Sequence, residues 1–243
     1  MNTSIARKLS LGCTALAAWL VVGLAHAADS AKALADAEGL WAYRTLQGGG
    51  KGEHRPITGV ILFKDGVFAQ QSIFDGEPFA GQVAMAHAGP YGAGPKGIHM
   101  IAEQTISISP GKDEPLNFRR STQHDIAVQR AGDDLTIVFD TGTVQTFERL
   151  GPGEGTLHAL DKGLLAFVDG YFVLVHGDEQ GVVSGFGKYR RSGSNYELEV
   201  IRWSEATPST AKNRRDFKLE ATFDGTTFAL ADGRKFPVAR SNK

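Results

Sequence analysis

Residues 163–172, Gly163-Leu164-Leu165-Ala166-Phe167-Val168-Asp169-Gly170-Tyr171-Phe172, decide how this chain is read. Two apolar runs flank an Asp-Gly pair, which suits a type I′ hairpin because both central residues need positive φ. The stretch has a twin 104 residues earlier, Gly59-Val60-Ile61-Leu62-Phe63-Lys64-Asp65-Gly66-Val67-Phe68. Both fit G-x-x-x-F-x-D-G-x-F. A shared hairpin at that distance predicts an internal duplication. The period is far longer than the roughly 20–50 residues of stacking repeats, so each copy is expected to be domain-sized.

Other turn positions repeat in the same order. Gly89, Tyr91 and Pro110 match Gly187, Tyr189 and Pro208 at an offset of 98 residues; Asp125 and Gly142 match Asp216 and Gly233 at 91. A shrinking offset is what loop deletions in the second copy would produce. Gly151-Pro152-Gly153-Glu154-Gly155 punctuates the middle and places the units at 39–150 and 151–243. Each unit offers about seven or eight short strand-like runs between turn signals, the pattern of a sandwich or barrel. Gly89 to Gly97, rich in Gly and broken by Pro, reads as a loop, and Phe118 to Arg130 as one long strand. The expected fold class is all-β, with two small antiparallel β-barrels in tandem. The alternative is one larger barrel built from the two repeats. Closure removes exposed sheet edges, which suits a chain without disulfides.

The chain opens with a secretory pattern: Arg7-Lys8, an apolar run from Leu9 to Leu24, and Ala25-His26-Ala27 as a small-residue cleavage site. The apolar run is 16 residues, short of the about 20 needed to span a bilayer. Residues 1–27 therefore read as a cleaved signal peptide, with no membrane span afterwards and a periplasmic or secreted destination. Residues 28–38 are Ala-rich and read as a leader or short helix. Cleavage removes the only cysteine and two bases, which takes the net charge from −1 to −3. No basic stripe of the kind a nucleic-acid binder carries is present.

Gly39-Leu40-Trp41 opening a strand, an apolar Asp-Gly hairpin and a run of up-and-down strands resemble lipocalin-like (calycin) domains. Thr146-Phe147-Glu148-Arg149-Leu150 is similar to their last strand. The resemblance covers 39–150 and, less fully, 155–240, where Gly155-Thr156-Leu157 lacks the opening Trp. It implies a barrel with an apolar cup for a small ligand. Fold alone does not fix function, because carriers and enzymes share it.

Strand alternation sorts side chains by face. Tyr196, Leu198, Val200, Arg202 and Ser204 share what reads as the inward face of the second unit, with Gln104 at the equivalent place in the first. His124 and Arg215 match at offset 91. Phe172 and His176 share a face of the second hairpin, and their counterparts Phe68 and Ser72 flank a more polar Gln70. Tyr91 and Tyr189 are matched aromatics. The candidate ligand-binding set is Arg202, Arg215, Tyr189, His176, Phe172, Gln104, His124 and Tyr91, centred on Arg202 in the second unit.

Three functions are compatible with that set. One is a small-molecule carrier whose apolar or aromatic ligand presents a carboxylate to Arg202 or Arg215. Another is a cofactor-free isomerase or lyase, with His176 or His124 as base and Arg202 as oxyanion partner. The third is a structural protein with filled barrels, in which Arg202 snorkels at the rim. No metal-ligand spacing, nucleophile elbow or phosphate loop occurs, so neither a metal nor a cofactor is expected.

Overall fold

Both Asp-Gly pairs form the expected turns. Asp65 and Gly66 have φ of 50° and 76°, and Asp169 and Gly170 have 51° and 79°. In the computed structural model, which describes residues 29–48, 52, 54–74, 76 and 78–239, a helix over 29–37 (α1) precedes an all-β chain. The expected signal peptide, residues 1–27, lies outside the described residues.

The strands of the first unit are β1 (Gly39–Gln47), β2 (His54–Arg55), β3 (Ile57–Lys64), β4 (Val67–Phe74), β5 (Val83–Gly94), β6 (Gly97–Ala102), β7 (Gln104–Ile108), β8 (Leu116–Arg119), β9 (Thr122–Ala131), β10 (Asp134–Phe139) and β11 (Val144–Gly151). Those of the second are β12 (Gly155–Leu160), β13 (Gly163–Val168), β14 (Tyr171–Asp178), β15 (Gly181–Ser192), β16 (Asn195–Ala206), β17 (Ala211–Phe223), β18 (Thr227–Leu230) and β19 (Lys235–Pro237). In the first sheet, β1, β3, β4, β5, β6, β9, β10 and β11 pair in a ring that returns to β1. The β7–β8 hairpin flares off the first half of β5. In the second sheet, β12 to β19 pair in sequence order. A Leu160–Val238 bridge and an Ala239 N–H to Ala159 carbonyl bond join its last strand to its first. The molecule is two tandem antiparallel barrels, not one larger barrel.

Three apolar clusters explain why the duplicated hairpin dominates the sequence. One fills the first barrel, with Trp41, Ile61, Phe63, Phe68, Met100 and Phe147. A second fills the other, with Phe167, Phe172, Tyr196, Trp203, Phe228 and Phe236. The third lies between the barrels and joins Val60, Leu62, Ala69 and Ile73 to Leu164, Ala166, Val173 and Val175. Strands β3, β4, β13 and β14 are therefore buried on both faces; β3, β13 and β14 are apolar almost without alternation, whereas β4 buries Gln70, Gln71 and Ser72. Full burial of each such side chain is worth about 1.5–3 kcal/mol. Gly59 and Gly163 sit at equivalent places with φ of 128° and 143°, where an added Cβ would overlap the carbonyl oxygens of Gln71 and Val175.

Two expectations need correction. Strand β5 runs straight through Gly89 and Pro90, so 89–97 is largely strand. The backbone of Ile101 passes so close to Gly89 that no side chain fits there, and Pro90 occupies the last rung beside the Asp65-Gly66 turn. The long strand from 118 to 130 is broken at Ser121, a non-glycine residue with φ of 56°. Its mate is Asp216, with φ of 54°. The ladders fix the true offset here as 95 residues, since Met100–His124 corresponds to Leu198–Leu219. His124 therefore answers to Leu219, and Arg215 to Arg120; the match at 91 holds only from the following strand onward.

Candidate functional site

The expected set around Arg202 does not assemble. A β-bulge inserts Ile201 between the Gly187–Val200 and Phe186–Arg202 pairs. A bulge exchanges the two faces of the strand beyond it. Leu198 and Val200 point into the second barrel, then Trp203 does, while Arg202 faces outward. Its guanidinium lies 6.0 Å from the ring of Phe79, which comes from the first barrel, and that of Arg215 lies 4.5 Å from the same ring. Gln104, after the matching break at Glu103, also faces outward. Its amide donates to the carbonyls of Lys162 and Gly177, at 2.5 and 2.8 Å, and so ties the barrels together.

The remaining members are dispersed. Phe172 is fully buried in the second core. Tyr189 packs there against Phe167 at 4.9 Å and Tyr196 at 5.8 Å. Tyr91 is core in the first barrel, and its hydroxyl donates to Glu38 at 2.7 Å. His176 sits at the rim of the second barrel, 3.1 Å from an Asp161 oxygen, on a cleft of about 590 Å³ shared with Arg234 and Phe236. His124 reaches the interior of the first barrel towards the end away from Tyr91, and there it meets groups that the initial set omitted.

The first barrel has two unlike halves. One is closed by α1: the indole of Trp41 donates to the Ala37 carbonyl at 2.7 Å, and the guanidiniums of Arg130 and Arg149 lie 5.5 and 5.7 Å from its ring. The other half is lined by polar side chains. Gln70, Ser72 and Phe74 alternate with the outward Ala69, Gln71 and Ile73 on β4, and Met85 and His87 alternate with Ala84, Ala86 and Ala88 on β5. Gln70 faces His87, Ser72 faces Met85, and His87 faces Thr105 of β7. Across the barrel, the Tyr43 hydroxyl donates to Gln145 at 3.3 Å, and the His124 ring lies edge-on to Phe139 at 5.6 Å. Gln70, Ser72, Tyr43 and Gln145 are all buried.

This polar layer, referred to below as the basin, has a distinct electrostatic character. No Asp, Glu, Lys or Arg stands among these wall residues. His87 is half-buried, with its Nδ1 fully buried. Burial, with the nearby His124 as a second cause, pushes the His87 imidazole down to about 4. Its Nδ1 is buried with no hydrogen-bond partner, so a proton placed there would have nothing to bond. Burial also raises the Tyr43 phenol far above its usual range. Both groups are neutral at physiological pH.

The second barrel supplies an internal control. Where the first has His87 opposite Thr105, the second has Gly185 opposite Trp203. The indole lies directly over Gly185, in the space a side chain there would need. Gln70, Tyr43, Gln145 and His124 are replaced by Leu174, Leu160, Phe236 and Leu219. An Arg234–Glu205 pair at 2.8 Å lies over the plug, Glu205 also accepting from the Trp203 indole at 3.2 Å. The same fold thus carries one polar interior and one apolar, filled interior.

Among the described residues, no three His, Cys, Asp or Glu side chains gather closely enough to hold a metal. No helix among them is long and apolar enough to cross a membrane. Comparison with known families, curated proteins and solved structures finds no match.

Proposed function

We propose that this is an exported, lipocalin-like protein that holds a small apolar or aromatic ligand in the outer half of its first barrel, with the second barrel as a filled structural partner. The observation that carries the reading is the substitution of His87 and Thr105 for Gly185 and Trp203. One barrel is stoppered by an indole; its twin keeps small and polar groups at the same level. Buried polar atoms are normally hydrogen-bonded. A wall of two amides, two imidazoles and a phenol with an orphaned nitrogen fits a site whose partner comes and goes. Such sites combine apolar walls with a few placed polar groups. The lipocalin-like features support the same reading, since Trp41 and α1 close one end and leave the other for entry. The secretory pattern at residues 1–27 supports export.

An isomerase or lyase is less well supported. A general base works best with a pKa near the operating pH, and His87 lies well below it. The test is fluorescence titration with N-phenyl-1-naphthylamine, a neutral aromatic probe. Saturable enhancement is expected in the natural protein and loss of it in Thr105→Trp, which puts a bulky indole at the level of the second barrel's stopper. Equal enhancement in both proteins would place the probe elsewhere and reject the site.

A further inference from the structure

Which ligands the basin accepts can be read from its layers. Beneath the polar belt the barrel is packed with Phe68, Met100 and Phe147. The belt itself is formed by Gln70, His87, Tyr43 and Gln145. Ser72 and Phe74 follow Gln70 towards the end of β4, Leu46 stands opposite Gln145, and Phe139 lies beside the His124 ring. Polar and apolar side chains thus share this part of the wall, and none of them is Asp, Glu, Lys or Arg. A carrier for free carboxylates would place a cation where the charged end comes to rest.

We propose, on the footing that the first barrel is the ligand site, that its ligands are uncharged amphiphiles, and that the wall discriminates against anions with the same apolar body. A charge carried into this layer loses its hydration and meets no opposite charge. Hydrogen bonds from amide, phenol and imidazole groups satisfy neutral donors and acceptors such as amines, amides and alcohols. The titratable groups facing His87 are the His124 imidazole and the Tyr43 phenol, which stays protonated at neutral pH. The neighbouring cations are Arg119, opposite Thr105 on β8, and Arg55, opposite Leu46 on β2; both are exposed and solvated.

A matched probe pair tests the discrimination. N-phenyl-1-naphthylamine and 8-anilinonaphthalene-1-sulfonate share one aromatic frame and differ by a sulfonate. Both are titrated against the natural protein at pH 7.5, and again against Thr105→Trp. The neutral probe should bind at least tenfold more tightly, and Thr105→Trp should lose it. Sulfonate binding that persists in Thr105→Trp lies outside the basin and agrees with the proposal. Sulfonate binding as tight as that of the neutral probe, and lost in Thr105→Trp, overturns the charge discrimination while leaving the ligand site intact. Failure of both probes to bind the natural protein overturns the ligand-site reading and this proposal with it. Should Thr105→Trp misfold, competition in the natural protein replaces it: sulfonate that displaces the neutral probe at a comparable midpoint overturns the discrimination, and sulfonate that leaves the neutral probe bound agrees with it.

Discussion

His87 should leave a measurable mark on the acid limb of stability. Its imidazole is neutral in the folded protein down to about pH 4, against an ordinary value of 6.5. Above 6.5 neither the folded nor the unfolded chain binds the proton, and the full stability is present. As pH falls from 6.5 towards 4 only the unfolded chain takes it up, so stability drops by about 1.4 kcal/mol per unit; below 4 both forms are protonated and the loss stops. The gap corresponds to about 3 kcal/mol in all. The perturbation is His87→Gln, which keeps a polar side chain and cannot titrate. Urea unfolding followed by tryptophan emission gives the stability of both proteins at pH 7.5 and 4.5. All other ionisable groups are common to both proteins and cancel in the difference. The natural protein should lose about 2–3 kcal/mol more than His87→Gln over that range. Parallel losses would refute the buried, neutral imidazole.

Three further outcomes follow from named contacts. Trp203→Ala should destabilise by about 3–5 kcal/mol through the cavity it leaves over Gly185, seen as a lower melting temperature, and should create a second binding site for N-phenyl-1-naphthylamine. Gly163→Ala should cost at least about 2 kcal/mol in urea unfolding, because its Cβ overlaps the Val175 carbonyl; Gly170→Ala, with open space around it, should cost about 1–2 kcal/mol from its left-handed φ alone. Gln104→Met removes both amide bonds to Lys162 and Gly177 and should cost about 1–3 kcal/mol, with faster backbone hydrogen exchange at the facing strands of the two barrels.

Much of the fold was legible because its organising hairpins are buried on both faces. Gly59, Asp65-Gly66, Gly163 and Asp169-Gly170 each answer a backbone requirement that few residues meet, so the duplication shows in the sequence. The site was harder to read. Alternation assigned Arg202 inward because nothing in Val200-Ile201-Arg202-Trp203 marks Ile201 as a bulge; the opposing Asp216, in left-handed conformation, is visible only once the strands are paired. One missed bulge exchanged Arg202 for Trp203 on the inward face of the second barrel. A signal for the polar interior of the first barrel was present. Gln70 and Ser72 stand where the twin hairpin has Leu174 and His176, and a polar pair on the inner face of an otherwise apolar strand is informative because burying it is costly. Its partners His87, Gln145 and Tyr43 come from strands whose order around the barrel no local pattern reveals.

Beyond Met1 the chain has two methionines, Met85 and Met100, and both face the interior of the first barrel. Met85 stands in the wall of the outer half, and Met100 is packed beneath it. Methionine-methyl NMR during titration with N-phenyl-1-naphthylamine therefore reports on the basin without any mutation. The account predicts that the Met85 methyl shifts saturably, with the same midpoint as the fluorescence, and that Met100 moves less. Fluorescence that saturates while neither methyl signal moves would contradict a ligand site in the first barrel.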